Sequence, residues 1–125
     1  MRSFGADAPP LYYVTIPKGV MRGVVDAAVA SDAALADVSF WGIEPDVFGQ
    51  SAHPPTFVVN VGEWVPRKLA ALCCHRTQMG PNNPFARIDE GRARRLLGLE
   101  HFRRAPTESR WDSIIEQLGE PEPSP

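Results

Sequence analysis

Leu11 to Ile16 is a short run of aromatic, aliphatic and β-branched residues stopped by Pro17, a pattern that predicts a strand. From Lys18 to Ser31 the apolar residues Val20, Met21, Val24, Val25, Ala28 and Val29 recur at helical spacing, which predicts an amphipathic helix packing one stripe on a neighbouring sheet. A strand leading straight into such a helix suggests an α/β chain. Thr56 to Val61 repeats the strand pattern, Gly62 closes it, and Pro66 suits the first turn of a helix running to about Gln78. Gly80-Pro81-Asn82-Asn83-Pro84 stops that helix. Asp89 to Leu97 predicts a further short helix with Gly98 as its C-terminal signal, and Leu99 to Arg104 a last short strand. Glu108 to Leu118 predicts a terminal helix with Trp111, Ile114, Ile115 and Leu118 on one side. Residues 1–10 read as a polar lead-in, residues 11–118 as the domain, and residues 119–125 as a disordered tail. Asp32 to Pro55 reads as a long surface connection able to carry part of a binding rim.

Composition narrows the function classes. With 125 residues, 43% of them hydrophobic and 22% charged, the chain suits one soluble globular domain with a single core. Thirteen prolines and ten glycines break it into short elements and disfavour a long coiled coil. A net charge of −2 gives no chain-wide case for nucleic acid, and no apolar run approaches the ~20 residues that a bilayer requires. Asp7 and two prolines interrupt the N-terminal segment where a secretory signal would need an apolar core, so a cytoplasmic location and no membrane are expected. The adjacent Cys73 and Cys74 are poorly placed to bridge each other and are expected to be free, buried thiols. Arg87, Arg92, Arg94, Arg95, Arg103 and Arg104 make a local basic excess that could contact phosphates, but a solvated helix face, balanced by the acidic C-terminal stretch, is the simpler reading. Trp41, Trp64 and Trp111 are expected in core packing, with Trp64 the best candidate for a sugar-stacking platform.

The most informative stretch is Arg67 to Gln78. In a continuous helix Lys68, Ala71, Leu72, His75 and Met79 share one face, Lys68 and His75 lie nearly above one another, and Gln78 sits on the adjoining edge. By themselves these residues fit a half-buried groove in which Lys68 snorkels and His75 is hydrogen-bonded, and they name no reaction. Val59-Asn60-Val61 followed by Lys68-Leu69-Ala70-Ala71-Leu72-Cys73-Cys74-His75-Arg76-Thr77-Gln78, however, resembles the C-terminal signature of the PIG-L/LmbE zinc-dependent N-deacetylases, a strand and then a helix carrying K-x-x-A-L-x-x-H-x-[ST]-Q. Phe48-Gly49 before the strand, Asn83-Pro84-Phe85 after the helix, and Leu97-Gly98-Leu99-Glu100-His101-Phe102 before Arg103 extend the likeness. Leu11-Tyr12-Tyr13 resembles the strand that follows the family's second metal motif, so the resemblance covers roughly residues 11–104.

The resemblance implies the C-terminal part of a Rossmann-like, parallel-rich fold with an incomplete sheet. It implies a zinc-dependent hydrolase, similar to the GlcNAc-PI de-N-acetylases, that removes the acetyl group from N-acetylglucosamine conjugates. On this reading Lys68, His75 and Gln78 bind substrate, Gln78 most directly and Lys68 mainly as support, and no catalytic residue is assigned. The family's H-P-D-D and H-P-D-H metal motifs do not occur; His53-Pro54-Pro55 has proline where the motif needs a carboxylate. Zinc is thus implied by the family without a ligand set in this chain, since a catalytic zinc needs about three protein ligands and an open water position. His53, His75 and His101 fall on three unrelated elements. The chain is expected to be poorly stable alone, or to associate with itself or a companion chain. The alternative is a non-catalytic interaction module or split-enzyme subunit that completes a partner's sheet.

Overall fold

A computed structural model describes residues 8–31, 42–49, 54–106, 116 and 119. Strand β1 (Tyr12–Thr15) is followed by helix α1 (Val20–Ser31), strand β2 (Phe57–Asn60), helix α2 (Val65–Cys74), a single turn α3 (Arg76–Met79), helix α4 (Glu90–Leu97) and strand β3 (Leu99–Arg104). Short 3-10 turns occupy Pro45–Val47, Gly62–Trp64 and Pro84–Ala86. The mixed helix-and-strand composition agrees with the sequence reading. The predicted terminal helix and tail lie outside the described residues, except for Glu116 and Gly119.

The sheet differs from the parallel-rich expectation. Its order is β1-β3-β2, and β3 runs antiparallel to both neighbours, with Val14 opposite Phe102 and Phe57 opposite Phe102. The strand read as a last short addition is therefore the middle of the sheet. Gly98 supplies the reversal: its N–H donates to the Arg94 carbonyl at 3.0 Å, ending α4, and its carbonyl accepts from Val61 at 2.8 Å, starting the β3–β2 ladder. Phe57 stacks on Phe102 with centroids 5.1 Å apart, and Tyr12 meets Phe57 edge-on at 5.3 Å, so one aromatic column ties all three strands.

The helices build the main core. Val24 and Val25 of α1, Val65 of α2, and Ala93 and Leu97 of α4 are buried together with Phe85 and Ile88. A fully buried valine contributes roughly 1.5–2 kcal/mol by leaving water. Helix α4 begins as its sequence predicts: Asp89 is the N-cap, accepting from the Arg92 N–H at 2.9 Å. Part of the predicted surface connection enters the core instead, since Pro45 is fully buried and Phe48 packs against the cluster. Gly49, next in line, has φ +106 and sits so close to Pro17 and Lys18 that a Cβ there would stand 2.6 Å from the Lys18 Cα.

The helix predicted to reach Gln78 breaks at His75, whose ψ of 54 leaves the helical region. Cys73, Cys74, His75 and Thr77 are all weak helix formers, so little local preference holds α2 and α3 in line. Gly80 at φ +67 then closes α3.

Candidate functional site

The site is built around the first turn of α2 and the start of β3. Lys68, one turn into α2, donates to the Leu97 carbonyl at 3.2 Å and lies 2.9 Å from the Glu100 carboxylate. It thereby fastens α2 to the α4–β3 corner. Asn60, at the end of β2, accepts from the Gly62 N–H at 3.0 Å and shapes the turn that launches α2.

Beside this ion pair is a cavity of about 240 Å³. Met21, Leu72, Phe85 and Leu96 form much of its apolar wall, and Lys68, Glu100 and His101 add polar groups on the β3 side. The backbone carbonyl of His101 accepts from the Thr15 hydroxyl at 3.3 Å. Its ring Nδ1 is buried with no hydrogen-bond partner among the described residues, an arrangement that costs about 1–3 kcal/mol. Lys68, Glu100 and His101 therefore form the most chemically loaded cluster near the cavity. Glu100 and His101 stood in the sequence only as parts of a terminal motif, and their convergence with Lys68 follows from β3 occupying the sheet centre.

The three predicted site residues do not converge. Lys68 is half-buried and lines the cavity, whereas His75 and Gln78 are exposed and lie outside its lining. The break at His75 removes the single continuous face that the helical spacing implies. Beyond it, Gln78 and Thr77 stand on the exposed turn α3, closed by Met79, which packs against the core.

The neighbouring aromatic and thiol groups also depart from expectation. Trp64 is 55% exposed, not in the core, and the Arg67 guanidinium lies 4.9 Å from its ring centroid. Trp41 and Trp111 lie outside the described residues. Cys73 is half-buried and Cys74 exposed, both as free thiols, because the helix end turns Cys74 to solvent. Among the arginines, Arg92 pairs with Asp89, Arg94 with Glu90, and Arg104 with Glu116 of the acidic C-terminal stretch. The Tyr12 hydroxyl donates to the same Glu116 carboxylate.

Among the described residues no three His, Cys, Asp or Glu side chains gather closely enough to hold a metal ion. Lys68 engages the Glu100 carboxylate, and Cys74 and His75 stand exposed at the helix break, so these groups do not by themselves fit a zinc centre. His53 lies outside the described residues. No helix among them is long and apolar enough to cross a membrane.

No protein-family model and no solved structure matches the chain. Among curated proteins, it is similar to the 1D-myo-inositol 2-acetamido-2-deoxy-alpha-D-glucopyranoside deacetylase of Thermobispora bispora, with 28% identity over 92 residues. The matched stretch is 74% of this chain and 30% of the relative, so the chain spans about a third of that protein's length, and its similarity is to part of a deacetylase.

Proposed function

We infer that the chain corresponds to a C-terminal part of an N-deacetylase and acts with a metal-bearing portion supplied from elsewhere. The observation that carries this reading is the similarity to the curated deacetylase over 92 residues. The reaction class is hydrolysis of the acetamide C–N bond of an N-acetylglucosamine conjugate, with release of acetate and the free amine. A zinc ion bound by such a portion would supply carbonyl polarisation and an activated water, and no residue of this chain is assigned to hold it.

This chain's own residues have distinct parts. Lys68, committed to Glu100 and Leu97, positions α2 against β3 and contributes through the placement of that helix. Gln78 offers an exposed side-chain amide, both donor and acceptor, which suits sugar hydroxyls. His75, exposed at the break, is free to meet the same substrate. Trp64, with Arg67 against its ring, is a separate exposed aromatic group at the start of α2.

The test combines the full 125-residue chain with the amino-terminal remainder of the Thermobispora bispora protein, zinc and the acetamido-sugar substrate named for that enzyme. Amine release that depends on this chain is expected. If the relative's own two pieces restore activity and this chain in place of the second does not, the deacetylase reading fails.

A further inference from the structure

Strand β1 is an outer strand of the sheet, and its main-chain groups divide between two sides. The Ala105 N–H donates to the Leu11 carbonyl at 2.8 Å, and the register sets Tyr13 opposite Arg103 and Thr15 opposite His101. Residues 11, 13 and 15 thus turn their N–H and C=O groups toward β3, and alternation turns those of Val14 outward. The outward groups of Val14 have no hydrogen-bond partner among the described residues, and its side chain is 69% exposed.

Two depressions adjoin at this point. One is the apolar cavity, bordered by Val14 and Thr15. The other lies against Tyr13, Val14, Thr15 and Arg103. The Arg103 guanidinium reaches to 5.7 Å from the Tyr13 ring centroid and has no carboxylate partner among the described residues.

Open edge backbone at Val14 of β1, an apolar recess beside it and, on the neighbouring strand β3, an Arg103 guanidinium with no carboxylate partner among the described residues are the components of recognition by strand addition. We propose that β1 receives an extended segment of a different polypeptide as an added strand, hydrogen-bonded at Val14, with an apolar side chain in the cavity and a carboxylate facing Arg103. A small anion would satisfy Arg103 and leave the Val14 backbone open. A second copy of β1 fits less well, because Tyr12 to Ile16 contains no carboxylate and two-fold pairing brings two Arg103 side chains toward each other. This makes specific the sheet-completing partner expected from the sequence, and it stands whether or not the deacetylase reading does.

The test titrates the full chain with a capped heptapeptide of threonines carrying leucine, glutamate and leucine at its second, fourth and sixth positions, followed by amide NMR. Saturable binding is expected, with shifts at Val14 and Thr15 and slowed hydrogen exchange at Val14. A peptide with lysine for the glutamate is expected to bind roughly fivefold more weakly at low salt. Val14→Pro removes only an outward N–H, so it should keep the fold, seen as an unchanged unfolding midpoint, and lose the peptide. Arg103→Gln should erase the preference for glutamate over lysine. Absence of binding at millimolar peptide, binding that leaves Val14 and Thr15 unchanged, or undiminished binding by a folded Val14→Pro overturns the proposal. Concentration-dependent protection of Val14 without peptide overturns it in favour of self-pairing.

Discussion

Lys68 on α2 holds Glu100 on β3 at 2.9 Å while donating to the Leu97 carbonyl, so one side chain locks a helix to the middle strand. The two charged groups are 30% and 35% exposed, which screens the pair and limits its worth. Lys68→Met is expected to lower unfolding free energy by about 1 kcal/mol, with Glu100→Gln costing less because its amide oxygen still accepts. Urea unfolding of both variants measures the difference, and equal midpoints to the parent chain would remove Lys68 as the fastener.

Gly49 and Gly19 both have positive φ, +106 and +90, but only Gly49 faces backbone where a Cβ would go. Gly19→Ala meets open space and bears conformational strain alone. Gly49→Ala must also push away the Pro17–Lys18 main chain, and should be the more destabilising by about 1–2 kcal/mol. Thermal unfolding of the pair, compared side by side, decides this.

Acid should loosen two junctions. Bidentate hydrogen bonds from Arg22 hold the Asp46 carboxyl below its ordinary value of 3.8, and the Arg92 N–H does the same for Asp89. A carboxyl depressed in the folded state stabilises above its ordinary value and loses that contribution as pH falls through its folded value. The urea midpoint of the parent chain should therefore fall as pH drops below about 4. Asp46→Asn and Asp89→Ala should each flatten that fall. A parallel acid profile in both would show that neither carboxyl is linked to folding.

Gln78 is exposed, so Gln78→Ala should leave stability within about 0.5 kcal/mol of the parent chain. In the reconstituted deacetylase the same change is expected to lower kcat/KM about tenfold, the loss of one well-placed hydrogen bond. Unchanged turnover would take Gln78 out of the substrate site.

Cys74 is exposed and Cys73 half-buried. An aromatic disulfide reagent should therefore label the folded chain in two phases, Cys74 first. Labelling of Cys74→Ser as fast as the first phase of the parent chain would place Cys73 in open solvent.

Local structure was largely legible in the residues. Pro17, Pro66, Asp89 and Gly98 punctuate the chain where strands and helices begin and end, because each acts on its own backbone. Two features were not. The central place of β3 depends on pairing with residues far away in the chain, and Leu99 to Arg104, mixed in polarity, carries no pattern that separates a middle strand from an edge. The break at His75 turns on a narrow balance of weak helix formers, so periodicity alone placed Lys68, His75 and Gln78 on one surface that the backbone then divides. Glu100 and His101 could have been joined to Lys68 only by knowing where β3 lies.

The middle strand is also the last described strand to be synthesised. Among the described strands, β1 and β2 do not pair with each other, and each pairs with β3. A nascent chain shorter than residue 99 therefore has helices but no ladder in which either earlier strand can be placed, and closing the long loops between partners is slow compared with forming a helix. The described sheet can therefore assemble only once β3 has been made, in a single late event, and until then the strand Tyr12–Thr15 lacks its pairing partner.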